Sequence, residues 1–268
     1  MQHKLNYKFD PNKKRKGVSY KAILEKYKKV LPSCVDLRTS GFMPPVENQG
    51  EEGDCAAHAT AGALEFLQLV ELKSGSGSLV YDSAGLVRVS RQQLYWGGRL
   101  IEGSTGEDSG ISDLNDMATV AKETGVAREA LWPYTQADLF NPPPAAVLED
   151  ASAHKLSESY SVAPGYQLKH CLWSGFPFML GFQVFESFMN QSVAATGEMP
   201  MPIEGEQIVG GHAVLAVGYD DARQCFIIRN SWGGDWGIDG YFHMPYEFID
   251  SQYAGDFVTL RSSTTANP

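Results

Sequence analysis

The feature that most constrains the fold is one stretch, NQGEEGDCAAHATAGALEFLQLVE, running from Asn48 to Glu71. It begins as a polar loop broken by Gly50 and Gly53 and turns, at Asp54-Cys55, into a run rich in Ala and Leu. Asp54 is a good N-cap residue, because its carboxylate can accept the amides that a first helical turn leaves without partners. Cys55 then stands at or near the first helical position, where free N–H groups and the helix dipole favour an anion. A thiol in that place tends to ionise, and the thiolate is the reactive form. Ala56, Ala57, Ala59, Ala61 and Ala63 keep the first turns slim. Leu64, Phe66, Leu67, Leu69, Val70 and Leu72 cover most of the cylinder, as in a helix buried between two layers. A second reading of the same residues stays open, in which Cys55 is a small core residue.

A chain of 268 residues with 43% hydrophobic content suits one large domain or two modest ones sharing a cleft. No apolar run approaches the roughly 18 residues that a membrane helix needs. The N-terminus has no hydrophobic core of the signal-peptide kind, so export by that route is not expected unless a segment was removed earlier, and the compartment stays open. Cys34, Cys55, Cys171 and Cys225 form no C-x-x-C. With Cys55 a free thiol, at most one disulfide remains, which speaks against a stapled secreted scaffold; Cys171 and Cys225 read as buried core thiols. Zinc spacings, a P-loop and a G-x-S-x-G elbow are absent, and neither a metal nor a cofactor is expected.

The net charge of −10 conceals a split: residues 1–30 carry ten basic side chains against Asp10 and Glu25, a net of +8, which leaves −18 for the rest. This basic arm, with a helix expected over Ser19–Val30, has three readings: a solvated tail, a nucleic-acid or acidic-membrane contact through Lys13–Lys16, or docking on the chain's own acidic body.

Gln49-Gly50, Gly53, Cys55 and Ala57 stand where papain-like cysteine peptidases carry Q-G-x-C-G-S-C-W-A, and the chain resembles that family. Glu52 replaces a Cys that is half of a family disulfide, Asp54 replaces Ser and Ala56 replaces the aromatic. Pro32 to Arg38 resembles the family's P-x-x-V-D-W-R, with Leu37 in place of Trp. Val89–Leu94 looks like L-S-x-Q-x-L, Gly125–Tyr134 is similar to G-I-x-x-E-x-x-Y-P-Y, and Val184–Asn190 resembles a segment of bacterial-type members. Gly211-His212-Ala213-Val214 through Tyr219 is similar to N-H-A-V-x-x-V-G-Y with Gly211 in place of Asn. Asn230-Ser231-Trp232-Gly233 with Trp236-Gly237 and Gly240-Tyr241 reproduces N-S-W-G-x-x-W-G-x-x-G-Y. His212 follows Cys55 by 157 residues and Asn230 follows His212 by 18, in the family order. The resemblance spans about Pro32 to Leu260.

The resemblance implies an α+β papain-like two-domain fold, with a helical left domain, a β-barrel-like right domain and the active-site cleft between them. The expected divisions are residues 1–31, a basic arm acting as a short inhibitory propeptide; 32–144, a mainly helical domain carrying the nucleophile; and 145–268, a β-rich domain carrying His and Asn. Asn141-Pro142-Pro143-Pro144 reads as the crossover, since three prolines stop helix and sheet alike. Strands are expected at Tyr160–Val162, Phe176–Val184, Ala213–Gly218, Phe226–Arg229 and Phe257–Leu260, and a helix from Ser112 to about Thr124.

The activity implied is hydrolysis of peptide or protein substrates through a thioester acyl-enzyme. Cys55 is the nucleophile, His212 the acid and base, Asn230 the residue that orients the ring, and Gln49 the oxyanion donor. Ser109, Gly110 and Gly211 are expected along an extended substrate, and Trp232 over the His–Asn bond. Met244 and Phe248 are expected in the wall of a pocket for an apolar side chain, and His58 is read as a packed histidine rather than a second base. The partners implied are a substrate and the chain's own arm, with a monomer expected and no nucleic acid or membrane. A catalytically silent papain-like binding module and an acyl transferase on the same fold are the alternatives.

Overall fold

The computed structural model describes residues 3–14, 17–24, 29–73 and 88–261. The Ala- and Leu-rich run forms α1 (Cys55–Lys73), buried continuously from Cys55 to Leu67. Small side chains on its first turns let it lie close against the sheet. α2 (Arg91–Glu102) is capped by the Ser90 hydroxyl, which accepts from the Gln93 amide. α3 (Leu114–Thr119) starts on the Asp113 carboxylate and continues as a wider turn over Val120–Thr124, so the helix expected from Ser112 to Thr124 is present. α4 (Ala145–Ser152) follows the three prolines and packs Val147 and Ala151 against Ala127 and Trp132.

The remaining elements are mostly strands. β1 (Cys34–Asp36) is short; β2 (Glu158–Ser161), β3 (Phe178–Phe185), β4 (Ile208–Asp220), β5 (Cys225–Arg229), β6 (Tyr241–Pro245) and β7 (Ala254–Arg261) form the main sheet. Short helices α5 (Tyr166–Trp173), α6 (Gln191–Thr196) and α7 (Tyr246–Asp250) cover its connections. The strand order is β2-β7-β3-β4-β5-β6, antiparallel throughout, with β1 pairing against part of β4. All five expected strands are found; β6, a short YFHMP run that follows directly on the Gly- and Trp-rich turn, was not expected. The sheet is open, with β2 and β6 at its ends, so the barrel-like closure expected of the right domain does not occur. Closure needs the end strands to pair, and β2, four residues long, pairs with β7.

β3 and β4 form the spine of the core: Phe178 to Val184 apart from Gln183, and His212 to Tyr219, are buried on both faces between helices and sheet neighbours. Register sets Phe182 opposite His212 and Gly181 opposite Ala213. Met244 and Phe248, expected at a pocket wall, are fully buried, and Phe248 packs on Phe182, Phe185 and Tyr253 in the core.

The arm does not make the long helix expected over Ser19–Val30. Its described part holds a single 3-10 turn, Tyr20–Ala22, and residues 25–28 lie outside the described set. The SGSGS stretch Ser74–Ser78, whose composition reads as a flexible loop, and the Ser/Thr-rich segment 262–266 also lie outside it.

Candidate active site

Each candidate residue is placed by a different element. Cys55 opens α1 and is 1% exposed. Burial pushes its thiol up to about 12; the backbone amides of Ala213, Ala56 and Tyr7 pull the other way, and the neighbouring Asp54 charge adds to the rise. The expected cap does not form. The Asp54 carbonyl accepts from Ala57 and His58, but its carboxylate oxygens have no hydrogen-bond partner among the described residues, and Oδ2 lies 3.2 Å from His58 Nε2. The i,i+4 histidine has displaced the helix amides as the neighbour of that charge. His58 is packed, as expected, edge-on to Tyr134 at 5.3 Å.

His212 lies near the start of β4, fully buried, and its Nε2 is 2.8 Å from Asn230 Oδ1. Asn230 follows directly on β5, and its Oδ1 also accepts from the Ser231 amide at 2.8 Å. The other ring nitrogen, His212 Nδ1, has no hydrogen-bond partner among the described residues. Burial pulls the imidazole down to about 4, against the pull of Asn230 in the other direction. Trp232 stacks on the His212 ring at 4.9 Å. The backbone amide of Ala213, next in sequence to His212, is among the groups that pull the Cys55 thiol down, which ties α1 to the start of β4.

Gln49 is pinned from three sides: its amide donates to Ser231 O at 2.9 Å, its Oε1 accepts from Ser231 Oγ at 2.6 Å, and its carbonyl accepts from the Tyr134 hydroxyl at 2.7 Å. Its Nε2 donates to Glu52 O at 2.9 Å and faces Lys4 O at 3.3 Å. Tyr134 and Ser231 were not singled out as site residues in the sequence, although both lie inside quoted motifs. Glu52 is buried, and desolvation first, then Asp54 and Asp108, raise its carboxyl to about 7.

The arm fills the groove between these residues. The His3 ring stacks on Trp232 at 4.8 Å, and Lys4 Nζ lies 2.5 Å from Asp108. The Asn6 side chain donates to Asp108 O, the Tyr7 amide donates to Gly211 O at 3.1 Å, and the Lys8 amide donates to Ile111 O at 2.9 Å. The backbone comes so close that a Cβ on Gly110, whose φ is +70°, would lie 1.8 Å from Asn6 O, and one on Gly211 would lie 2.0 Å from Tyr7 O. Trp232, Gly110 and Gly211 therefore line the backbone of the arm. Ser109 does not: its hydroxyl turns to Ser104 Oγ at 2.9 Å and to Gly110 O. Further along, Lys8 and Lys13 face Glu102 and Asp113, so the basic arm docks on the acidic body. Among the described residues no three His, Cys, Asp or Glu side chains are grouped to hold a metal, and no helix is long and apolar enough to cross a membrane.

Residues 31–254 match the papain family of cysteine proteases. The chain belongs to the papain family. Its fold is similar to that of xylellain, a cysteine protease from Xylella fastidiosa, with a TM-score of 0.82 at 34% identity over 98% of each chain. An uncharacterized peptidase C1-like protein of Acanthamoeba polyphaga mimivirus is 34% identical over 88% of this papain-family chain and 76% of its own length. Cysteine proteinase 1 of Entamoeba histolytica is 28% identical over 81% of this chain, which spans 64% of that protein's length. Digestive procathepsin L 3 of Tenebrio molitor, at 21% identity and a TM-score of 0.63, shares the fold. As a member of the family, the chain is a thiol protease.

Proposed function

We propose that this chain is a cysteine peptidase made as a zymogen, shut by its own N-terminal arm. Cys55 attacks the peptide carbonyl, and His212 Nδ1 gives its proton to the leaving amine, which leaves a thioester. His212 then takes a proton from the water that releases the acid. Asn230 holds the ring through Nε2, and Trp232 covers that bond from water. Gln49 Nε2 and the Cys55 amide receive the negative charge that develops on the carbonyl oxygen.

The observation that carries the reading is the passage of Lys4 to Tyr7 over Cys55, with the Lys4 carbonyl before Gln49 Nε2. Occlusion is chemical as well as steric. With water excluded, a thiol near 12 beside an imidazole near 4 leaves both neutral at pH 7, so the thiolate–imidazolium pair does not form. Lifting the arm hydrates both groups and removes that penalty. The test is covalent labelling by an epoxysuccinyl inhibitor, followed by mass spectrometry, on the full chain, the full chain with the arm loosened by Tyr7→Ala, and Cys55→Ala in that background. Labelling and peptide cleavage should be slow, fast and absent, in that order; equal rates in the first two would end the zymogen reading.

A further inference from the structure

No disulfide ties the nucleophile turn to the rest of the chain: Cys34, Cys55, Cys171 and Cys225 are all free, and Glu52 stands where the family carries half of a bridge. A carboxylate holds the turn instead. Asp108, in the loop between α2 and α3, accepts from the Gly53 amide at 3.0 Å on Oδ1 and 3.2 Å on Oδ2. A Cβ on Gly53 would lie 2.9 Å from Oδ1, so the close approach depends on glycine. Oδ1 also accepts from the Tyr95 hydroxyl at 2.5 Å, and the Tyr95 oxygen accepts from the Gly110 amide at 3.0 Å. Tyr95 is fully buried in α2. One carboxylate thus fixes both the turn that carries Gln49 and Cys55 and the groove backbone at Gly110. The arm uses other atoms of the same residue. Lys4 Nζ takes Oδ2 and the Asn6 side chain takes the Asp108 carbonyl, so lifting the arm leaves both donors to Oδ1 in place.

Resting on the peptidase reading above, we propose that Asp108 is a positioning residue of the open enzyme, which keeps the oxyanion-binding turn and the groove backbone at Gly110 in register. The two branches act on different constants. Gly53 lies two residues before Cys55, whose amide receives the developing charge together with Gln49 Nε2. A turn free to shift moves both donors off the transition state and lowers kcat. Gly110 borders the groove in which the arm backbone runs, so a loosened Gly110 weakens binding of an extended peptide and raises KM. A charged acceptor suits the clamp, because hydrogen bonds to a carboxylate are roughly twice as strong as neutral ones.

The experiment uses the full chain carrying Lys4→Ala and Tyr7→Ala, in which the Lys4 side chain no longer draws on the carboxylate. It follows cleavage of a fluorogenic peptide beside alkylation of Cys55 by iodoacetamide, which needs neither the oxyanion donors nor the groove. Asp108→Ala should lower kcat by roughly 10- to 100-fold, with alkylation changed by less than about twofold. Asp108→Asn, which keeps one acceptor oxygen for Gly53 and Tyr95, should restore kcat to within about fivefold of the parent. Tyr95→Phe cuts only the Gly110 branch and should raise KM about three- to tenfold, with kcat changed by less than about threefold. An unchanged kcat in Asp108→Ala would reduce the residue to a latch for Lys4 and overturn the proposal. Alkylation that falls in step with kcat, or no rescue by Asp108→Asn, would mark a merely structural role and overturn it equally. A parent that cleaves no peptide would take the peptidase reading down with it; where the parent cleaves, that reading stands whatever the Asp108 series shows.

Discussion

Tyr7 and Tyr20 are two tyrosines of one arm, equally buried at 3% and 1% exposure, and held in opposite ways. Tyr7 rests on main chain, against Gly181 and Gly211, with one carboxylate at its tip. Tyr20 is locked among side chains: Arg261 donates to its hydroxyl at 3.0 Å, His170 Nδ1 lies 3.0 Å from it, and Tyr160 meets the ring edge-on. Arg261 in turn lies over Phe176. A groove made of backbone can serve any extended chain, whereas an interlocked side-chain pocket serves the residue that built it. The contrast predicts a removable half of the arm around Tyr7 and a fixed half around Tyr20.

The sharpest way to break that contrast is Tyr7→Ala. Truncating a buried aromatic costs on the order of 3 kcal/mol, which would raise the open fraction by roughly 100-fold. Initial rates on a fluorogenic peptide should rise accordingly, with the melting temperature little changed. Tyr20→Ala removes a similar side chain from a permanent contact. A loss of about 3 kcal/mol in a chain of this size lowers the melting temperature by roughly 6–12 °C. Peptidase activity should rise by less than about tenfold. If Tyr20→Ala unlocked the enzyme as strongly as Tyr7→Ala, the division of the arm would be wrong.

Acid offers a third comparison. His212 titrates near 4 in the closed state against its ordinary 6.5, so the opened or unfolded chain binds the proton more readily. Its contribution to the closed state is present above about 6.5 and is lost as pH falls toward 4. Glu52, raised to about 7, acts in the other sense: its contribution is present below about 4.5 and is lost as pH rises through 7. Melting curves across pH 4–7 should therefore differ between the parent and Glu52→Gln, the variant being relatively more stable toward pH 7. An identical pH dependence would mean that Glu52 is not held protonated.

The smallest effect is expected at Lys4, whose side chain is 39% exposed over Asp108. Lys4→Ala should cost about 0.5–1 kcal/mol and raise activity two- to fivefold, with the gain disappearing in 1 M salt. A salt-independent gain would point to packing of the lysine stem rather than its charge.

The candidate site residues were legible because each sits in a local pattern. Cys55 follows a polar loop at the tip of an apolar helix, His212 leads an apolar strand behind two glycines, and Asn230 starts a Trp- and Gly-rich turn. The 2.8 Å contact between His212 and Asn230 requires only that β4 and β5 be neighbours, which a short connection favours. Three of the misreadings share one source. Asp54 was expected to cap α1, but the competition from His58 depends on where a second side chain points. Ser109 was expected beside Gly110 on the groove, but its rotamer follows Ser104. Met244 and Phe248 were expected at a pocket wall, but the packing of β6 and α7 turns them inward.

By itself, the sequence determined the family, singled out Cys55, His212 and Asn230 as candidate site residues, and set the opposite charges of arm and body, because these rest on residue type and near-neighbour spacing. Only the tertiary structure decided which arm residue enters which slot. Tyr7 and Asp256 are 249 positions apart, and nothing in either neighbourhood requires them to meet. Their contact follows from bringing β3, β4 and β7 side by side and laying a strand of the arm across the glycines they expose.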